Sequence, residues 1–267
     1  MTDVTMPGLI DSHCHLDHFS DEELPVLLNT AKEAGLSGMV TIGTRLSHAG
    51  EQKRLASFSR PDMRVWCTVG THPDHVEETP VPLLQDIVAL ADTPEVIGIG
   101  ETGLDYFHGQ EKVRPLQQES FRRHIQAARE LDIPVIIHAR QADADVAAIL
   151  EDETAKGGFP ILLHCFASGP ELARRVVALG GYVSFSGIAT FPKCEEIRSV
   201  ARELPIERIL VETDAPYLAP VPQRGKRNQP AFVAHTAGRL ARERGLDVAT
   251  FAEHTTQNFQ RLFRKVR

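Results

Sequence analysis

Apolar residues in this chain gather into short runs separated by longer amphipathic stretches. Eight runs stand out: GLIDSH, GMVTIG, RVWCTVG, EVIGIGE, PVIIHA, PILLHC, GYVSFSG and RILVETD. Each has strand length, and several are apolar throughout, as expected of strands covered on both faces. The stretches between them carry helix punctuation. Ser20 and Glu23 form a capping box ahead of a stripe made by Leu24, Leu27, Leu28 and Ala31, and Gly35 can end that helix. A second helix is predicted from Pro115 to Leu131. A third opens at Ser168-Gly169-Pro170 and stops at Gly180. A last one begins near Asp247 and carries Phe251, Phe259, Leu262 and Phe263.

Strand starts recur at intervals of roughly 20 to 40 residues, enough for one helix and its loops each. Eight such units predict a single α/β domain over residues 1–267, a (β/α)8 TIM barrel. The competing open doubly wound sheet lacks its glycine-rich dinucleotide fingerprint after the first strand. No repeat, linker or low-complexity segment interrupts the pattern.

Composition narrows the class. The 267 residues are 42% hydrophobic and 24% charged, ordinary for a globular protein, and the net charge of -7 argues against a broad basic coat for DNA. The opening MTDVTMPGLI has neither a basic start nor an apolar run, so no signal peptide is expected, and no segment is apolar enough to span a membrane. Cys14, Cys67, Cys165 and Cys194 are scattered without a CxxC pair. The chain is read as a cytoplasmic monomer with free thiols.

The ends of the apolar runs carry the chemistry. In DSHCHLD, His13 and His15 are two apart and share a face, with Cys14 on the other. The fourth run ends in Glu101, the fifth in His138, the sixth in His164 and the eighth in Asp214. A lone histidine after a strand is more often a structural residue. Six ionisable groups at five strand ends of one barrel are costly to bury together unless cations compensate. Imidazole and carboxylate without thiolate suit zinc, manganese, iron or magnesium. Six ligands exceed the needs of one catalytic ion and match two divalent cations sharing a carboxylate, the arrangement that activates water and clamps a displacement. Two dications less Glu101, Asp214 and a hydroxide leave a charge of about plus one, attractive to a phosphodiester.

The stretches LIDSHCHLD, VGTHPDH, GIGETGLDYF, PVIIHAR, LLHCF, VETDAPYLAP and RGKRNQPAFV occur in order from Leu9 to about Val233. In this series the chain resembles the TatD family of metal-dependent hydrolases, and TTQNFQRLF is similar to that family's last helix. The resemblance implies a TIM barrel with a two-metal site (Mg, Mn or Zn) and a deoxyribonuclease, often removing nucleotides from the 3′ end. It places the metal ligands on His13, His15, Glu101, His138, His164 and Asp214, with Asp214 and Glu101 in the catalytic machinery. One departure is Gln229, in RNQP where the family has RNEP. A carbonyl hydrolase (amidase, lactonase or deacylase) would use the same ligands, and a metal-binding scaffold without turnover is the non-enzymatic reading.

Around the ligands, Glu212 should share the inward face of Asp214, and Asp11 that of His13; either can fix a ligand histidine or simply pair with a core base. Asp17 and Asp105 can reach the mouth or cap turns. Cys14 and Cys165 alternate away and read as core fillers. DNA ends or single strands are the expected partner, contacted by His72, Arg140 and the basic loop of Arg224, Lys226 and Arg227. His75 is a weaker contact, and Tyr106 and Phe107 can stack on a base or serve as wall.

Overall fold

The computed structural model describes residues 8–78, 80–108 and 110–266. The stretch read as lacking a signal sequence lies, for its first seven residues, outside them. All eight strands form where the apolar runs place them: β1 Leu9–Cys14, β2 Leu36–Thr41, β3 Arg64–Val69, β4 Val96–Asp105, β5 Val135–Arg140, β6 Ile161–Leu163, β7 Tyr182–Phe185 and β8 Ile209–Val211. They pair in parallel and in sequence order. The last meets the first: Asp214 N–H donates to the His13 carbonyl (2.9 Å), His15 N–H to the Ala215 carbonyl (2.8 Å), and Ser12 Oγ to the Val211 carbonyl (3.0 Å). The fold is a (β/α)8 barrel.

Period-two alternation explains the layers. Each strand gives one side chain to the apolar cluster inside the barrel: Ile10, Val40, Trp66, Ile97, Ile136, Leu162, Tyr182 and Leu210. The intervening residues, such as Met39, Val65, Val135, Val183 and Ile209, pack outward into the larger core beneath the helices. Among the described residues the helices are α1 Leu24–Glu33, α2 Ala49–Ala56, α3 Leu84–Ala91, α4 Arg114–Leu131, α5 Asp143–Lys156, α6 Pro170–Ala178, α7 Glu195–Glu203, α8 Val233–Glu243 and α9 Val248–Leu262. α9 opens on Asp247, whose Oδ1 accepts from Thr250 N–H (2.9 Å). It turns Phe259 and Leu262, with Phe263 just beyond, against the strands' inner residues, closing the barrel's amino end.

Two local readings change. Glu23 does accept from Ser20 N–H (2.7 Å), but Ser20 makes no side-chain cap, and α1 begins only at Leu24. Its stripe of Leu24, Leu27, Leu28 and Ala31 is buried as predicted. β4 does not end at Glu101; it continues beside β5, pairing Gly103 with His138 and Asp105 with Arg140. The pairing register shifts near the start of β1, opposite Cys67 and Thr68 in β4, and at two points nearer the mouth, between Asp11 and Cys14 in β1 and between Ile99 and Thr102 in β4. At the last of these the backbone needs glycine. Gly100 has φ +149°, and a Cβ on Gly70 would stand 2.5 Å from Gly100 Cα. The break in β1 after Asp11 brings His13 to the mouth.

Candidate metal centre

β1 and the residues after it deliver His13 and His15, β4 delivers Glu101, β5 His138, and the ends of β6 and β8 deliver His164 and Asp214. For β5 and β6 this follows from alternation, since Ile136 and Leu162 face inward two residues earlier. Asp214 takes φ +57°, a left-handed conformation that Asp tolerates better than most residues.

The six predicted ligands converge. Glu101 divides its carboxylate between two groups of imidazoles. Oε2 lies 3.5 Å from His13 Nε2 and 3.9 Å from His15 Nε2. Oε1 lies 2.6 Å from His164 Nε2 and 3.1 Å from His138 Nδ1. Asp214 Oδ1 stands 3.4 Å from His15 Nε2 and 3.7 Å from His13 Nε2. Among the described residues four groups of three bring ligand atoms together: His13, His15 and Asp214; His13, His164 and Glu212; His72, Glu101 and His138; and, farther out, Asp74, Asp105 and His108.

The electrostatics ask for positive charge here. Burial alone would raise Glu101, yet His164, His72, His13 and His138 hold it well below the usual carboxylate range. Burial likewise opposes Asp214, and His15 and His13 hold it down. Burial works against protonated His15, but Asp214 lifts it to about 8. His138 is raised despite burial by Asp105 and Glu101, and His164 by Glu101 and Glu212. His13, squeezed by burial and by neighbouring His164, is lowered. Protons on imidazoles are what the chain alone offers these carboxylates. Divalent cations would displace them and leave the neutral rings as ligands. His164 Nε2, buried and without a well-formed hydrogen bond, points at that same space. The donor set thus fits hard or borderline divalent ions.

A carboxylate backs each of two histidines. Glu212 Oε1 lies 3.3 Å from His164 Nδ1, and Ser184 donates to the other oxygen. Asp105 Oδ2 lies 3.0 Å from His138 Nε2, while its Oδ1 accepts from Phe107 N–H (2.9 Å) and His108 N–H (2.8 Å). Asp105 therefore supports a ligand and caps a turn at once. Asp11 does neither for an imidazole ring. Buried, and pushed by that burial to about 8, it accepts from Thr213 N–H (2.9 Å), Thr213 Oγ1 (2.6 Å) and His13 N–H (3.3 Å). The break in β1 separates its face from that of His13, so it holds backbone, joining β1 to the segment that carries Asp214.

His72 reaches the site. Its Nδ1 accepts from Asp74 N–H (3.1 Å), which leaves the proton on Nε2, 3.6 Å from Glu101 Oε1. Burial lowers its pKa to about 3, so it is a neutral donor. Arg140 lies over the Phe107 ring (4.1 Å) and Arg224 over Phe191 (4.5 Å). Lys226 donates to Gln223 (2.8 Å). Arg227 is engaged elsewhere, with Glu23 Oε1 (2.7 Å), the His18 carbonyl and the Phe19 ring. None of these four cations is bonded to the six converging residues among the described contacts.

The other readings settle simply. His75 pairs with Glu78 (2.9 Å), and Tyr106 gives its hydroxyl to Asp145 (2.6 Å), making it wall. Asp17 is exposed. Cys14 is buried and donates to the Val40 carbonyl; Cys165 donates to Ser186. Asn228 had no sequence signal beyond its place in RNQP. It is fully buried, and its amide donates to the Thr213 carbonyl (2.9 Å) and the Tyr217 carbonyl (2.5 Å), pinning the loop after β8. No described helix is long and apolar enough to cross a membrane.

Comparison with known proteins places the chain among metal-dependent hydrolases. A family profile described as TatD related DNase matches residues 10–264. The uncharacterized metal-dependent hydrolase YcfH of Escherichia coli K12 is 44% identical over 262 residues, covering 96% of this chain and 95% of that protein. A protein of Pantoea vagans named 3′-5′ ssDNA/RNA exonuclease TatD is 33% identical, covering 89% and 92%. The crystal structure of YjjV, a TatD homolog from E. coli K12, superposes with a TM-score of 0.87 at 26% identity, covering 96% and 98%.

Proposed function

The chain belongs to the TatD-related DNase family of metal-dependent hydrolases, and on that premise we propose that it is a deoxyribonuclease that binds two divalent cations and removes nucleotides from single-stranded ends, in the 3′ to 5′ direction. The observation that carries the reading is the division of the Glu101 carboxylate, one oxygen toward His13 and His15 and the other toward His138 and His164. A carboxylate so placed would hold two cations, one beside each group of imidazoles. The name of the Pantoea vagans relative supports the nucleic-acid substrate, as do cations at the mouth of an otherwise acidic chain.

Bound divalent cations, of which Mg, Mn and Zn all suit the donors, would lower the pKa of water and stabilise charge on a phosphoryl group. The chain's own groups do the rest. Asp214, held anionic, accepts the proton of the attacking water and orients it. His72 offers its Nε2 proton to a phosphoryl oxygen. Asp105 and Glu212 fix the tautomers of His138 and His164, so each presents a lone pair inward. Arg140, Arg224 and Lys226 hold flanking phosphates. Arg227 sets the loop against Glu23 and α1.

The test is degradation of end-labelled single-stranded DNA by purified protein across a series of divalent ions. Stepwise shortening from the 3′ end, abolished by chelator, is expected. Hydrolysis of a lactone or amide panel with intact DNA would move the assignment to carbonyl chemistry.

A further inference from the structure

Five large apolar side chains are exposed among the described residues: Val26, Leu83, Phe107, Tyr217 and Val221. The two aromatic ones both sit at the barrel mouth. Phe107 follows Asp105 by two residues, and its backbone N–H is held by the carboxylate that backs His138. Tyr217 follows Asp214 by three, and its N–H donates to the Asp214 carbonyl (2.9 Å). Single exposed apolar residues are common and need no explanation. Two aromatic rings, each tied to a residue of the metal centre, are a different matter.

They also stand on different sides. Phe107 belongs with His138, on the Oε1 side of Glu101. Tyr217 belongs with His15 and Asp214, on the Oε2 side, its ring centroid 6.2 Å from that of His15 and 5.6 Å from that of His18, both steeply inclined to it. Each residue is about half exposed, 53% for Phe107 and 50% for Tyr217. Arg140 lies against Phe107 with its centre 4.1 Å from the ring centroid. A guanidinium so placed stiffens the ring and keeps N–H donors for a phosphate.

Resting on the nuclease reading above, we propose that Phe107 and Tyr217 are paired stacking platforms for the two bases that flank the scissile phosphate, and that they select single-stranded nucleic acid. A phosphodiester drawn to the cations that Glu101 and its histidines would hold has one nucleoside on each side. Any base offers a π-face to an aromatic ring, so the grip is indifferent to sequence. A base inside a duplex is paired and stacked on its neighbours, and reaches a ring only after that stack is broken. The unpaired terminus is therefore the form the mouth accepts.

The experiment uses the full-length protein with manganese and three 5′-labelled substrates: a single-stranded oligonucleotide, the same oligonucleotide with tetrahydrofuran abasic residues at its last two 3′ positions, and a blunt duplex. Phe107→Leu and Tyr217→Leu should each raise KM for the ordinary single strand about ten-fold, in the range of one lost stack, with kcat falling far less. On the abasic strand the variants and the parent should differ by less than about two-fold, because ring and base act only through each other. Phe107→Tyr and Tyr217→Phe should keep the parent KM. The parent's preference for single strand over duplex should shrink in the Leu variants. Equal KM changes on ordinary and abasic strands, or none on either, would overturn the proposal. Fluorescence anisotropy on the same strands reads binding without turnover. If the parent cuts none of them, the nuclease reading fails by itself, while the platforms stand or fall on whether the Leu variants lose affinity for the base-bearing strand alone.

Discussion

Asp105 grips His138 from behind: its Oδ2 lies 3.0 Å from Nε2, while the opposite nitrogen of the ring faces Glu101 at 3.1 Å. A histidine held in this way keeps one tautomer and one orientation. Asp105→Asn offers an amide where the ring needs an acceptor, and the turn at Phe107 keeps its cap through the remaining carbonyl oxygen. Metal affinity should fall about 10- to 100-fold, measured by competition with a chromogenic chelator. Unchanged affinity would remove Asp105 from any role in holding the ring for a cation.

Glu101→Ala deletes the carboxylate that faces both groups of histidines. Metal analysis of protein purified without chelator should show both ions lost, with nuclease activity near background and the circular dichroism of the barrel intact. Retention of two ions at full activity would contradict the bridging role.

Asp214 carries two duties, ligand and proton acceptor, so Asp214→Asn should reduce kcat by more than it weakens metal binding. Titrating the variant with excess manganese separates the duties. Complete recovery of kcat would leave Asp214 as a ligand only.

A chain of net charge -7 cannot lay a long track along a polyanion. A short grip that neutralises two or three phosphates should give a slope of log K against log salt on the order of -2, and closed circular DNA should be cut poorly. Arg140→Ala and Arg224→Ala should raise KM, since both guanidiniums rest on aromatic rings with donors to spare. Arg227→Ala should act chiefly on thermal stability, because that side chain is engaged with Glu23 and His18. A steep slope, or rapid nicking of circles, would indicate an extended binding surface.

His124 sets a pH limit away from the metal centre. It is fully buried in α4; its Nδ1 donates to the Ser120 carbonyl (2.8 Å) and its Nε2 accepts from Thr71 N–H (3.1 Å), just ahead of His72. Burial lowers its pKa from 6.5 to about 4, and a second proton would face the Thr71 N–H directly. Above pH 6.5 the ring is neutral in folded and unfolded chains, and the shift has no effect. As pH falls from 6.5 toward 4 the unfolded chain takes a proton that the folded one refuses. The protein should lose about 3 kcal/mol over that window. Denaturant melts of parent and His124→Gln, whose amide supplies one donor and one acceptor without titrating, should diverge below pH 6.5, with the variant less acid-sensitive. Parallel curves would show that His124 titrates normally.

Much of this was legible in the order of residues. His138 and His164 follow inward-facing Ile136 and Leu162 by two, and Glu212 follows Leu210 in the same way, so a period of two carried apolar interior into polar mouth. The periodicity misleads where the backbone departs from it. In β1 the break after Asp11 sets that carboxylate against Thr213 rather than behind an imidazole. In β4 a period of two from inward Ile97 does lead to Glu101, but the strand runs on past it to Asp105. Asn228 and Arg227 act through contacts with segments remote in sequence, and no local pattern encodes a partner 15 or 204 positions away.

The hydrogen bonds that close the barrel join His13 and His15 to Asp214 and Ala215, so the seam between the first and last strands runs through the metal centre itself. The first ligands leave the ribosome some 200 residues before the last, and until the chain is nearly complete they lack Asp214. A hydrolase built in this way carries no finished site while it is being translated. Hydrolysis is withheld by topology until synthesis has reached the other edge of the same seam.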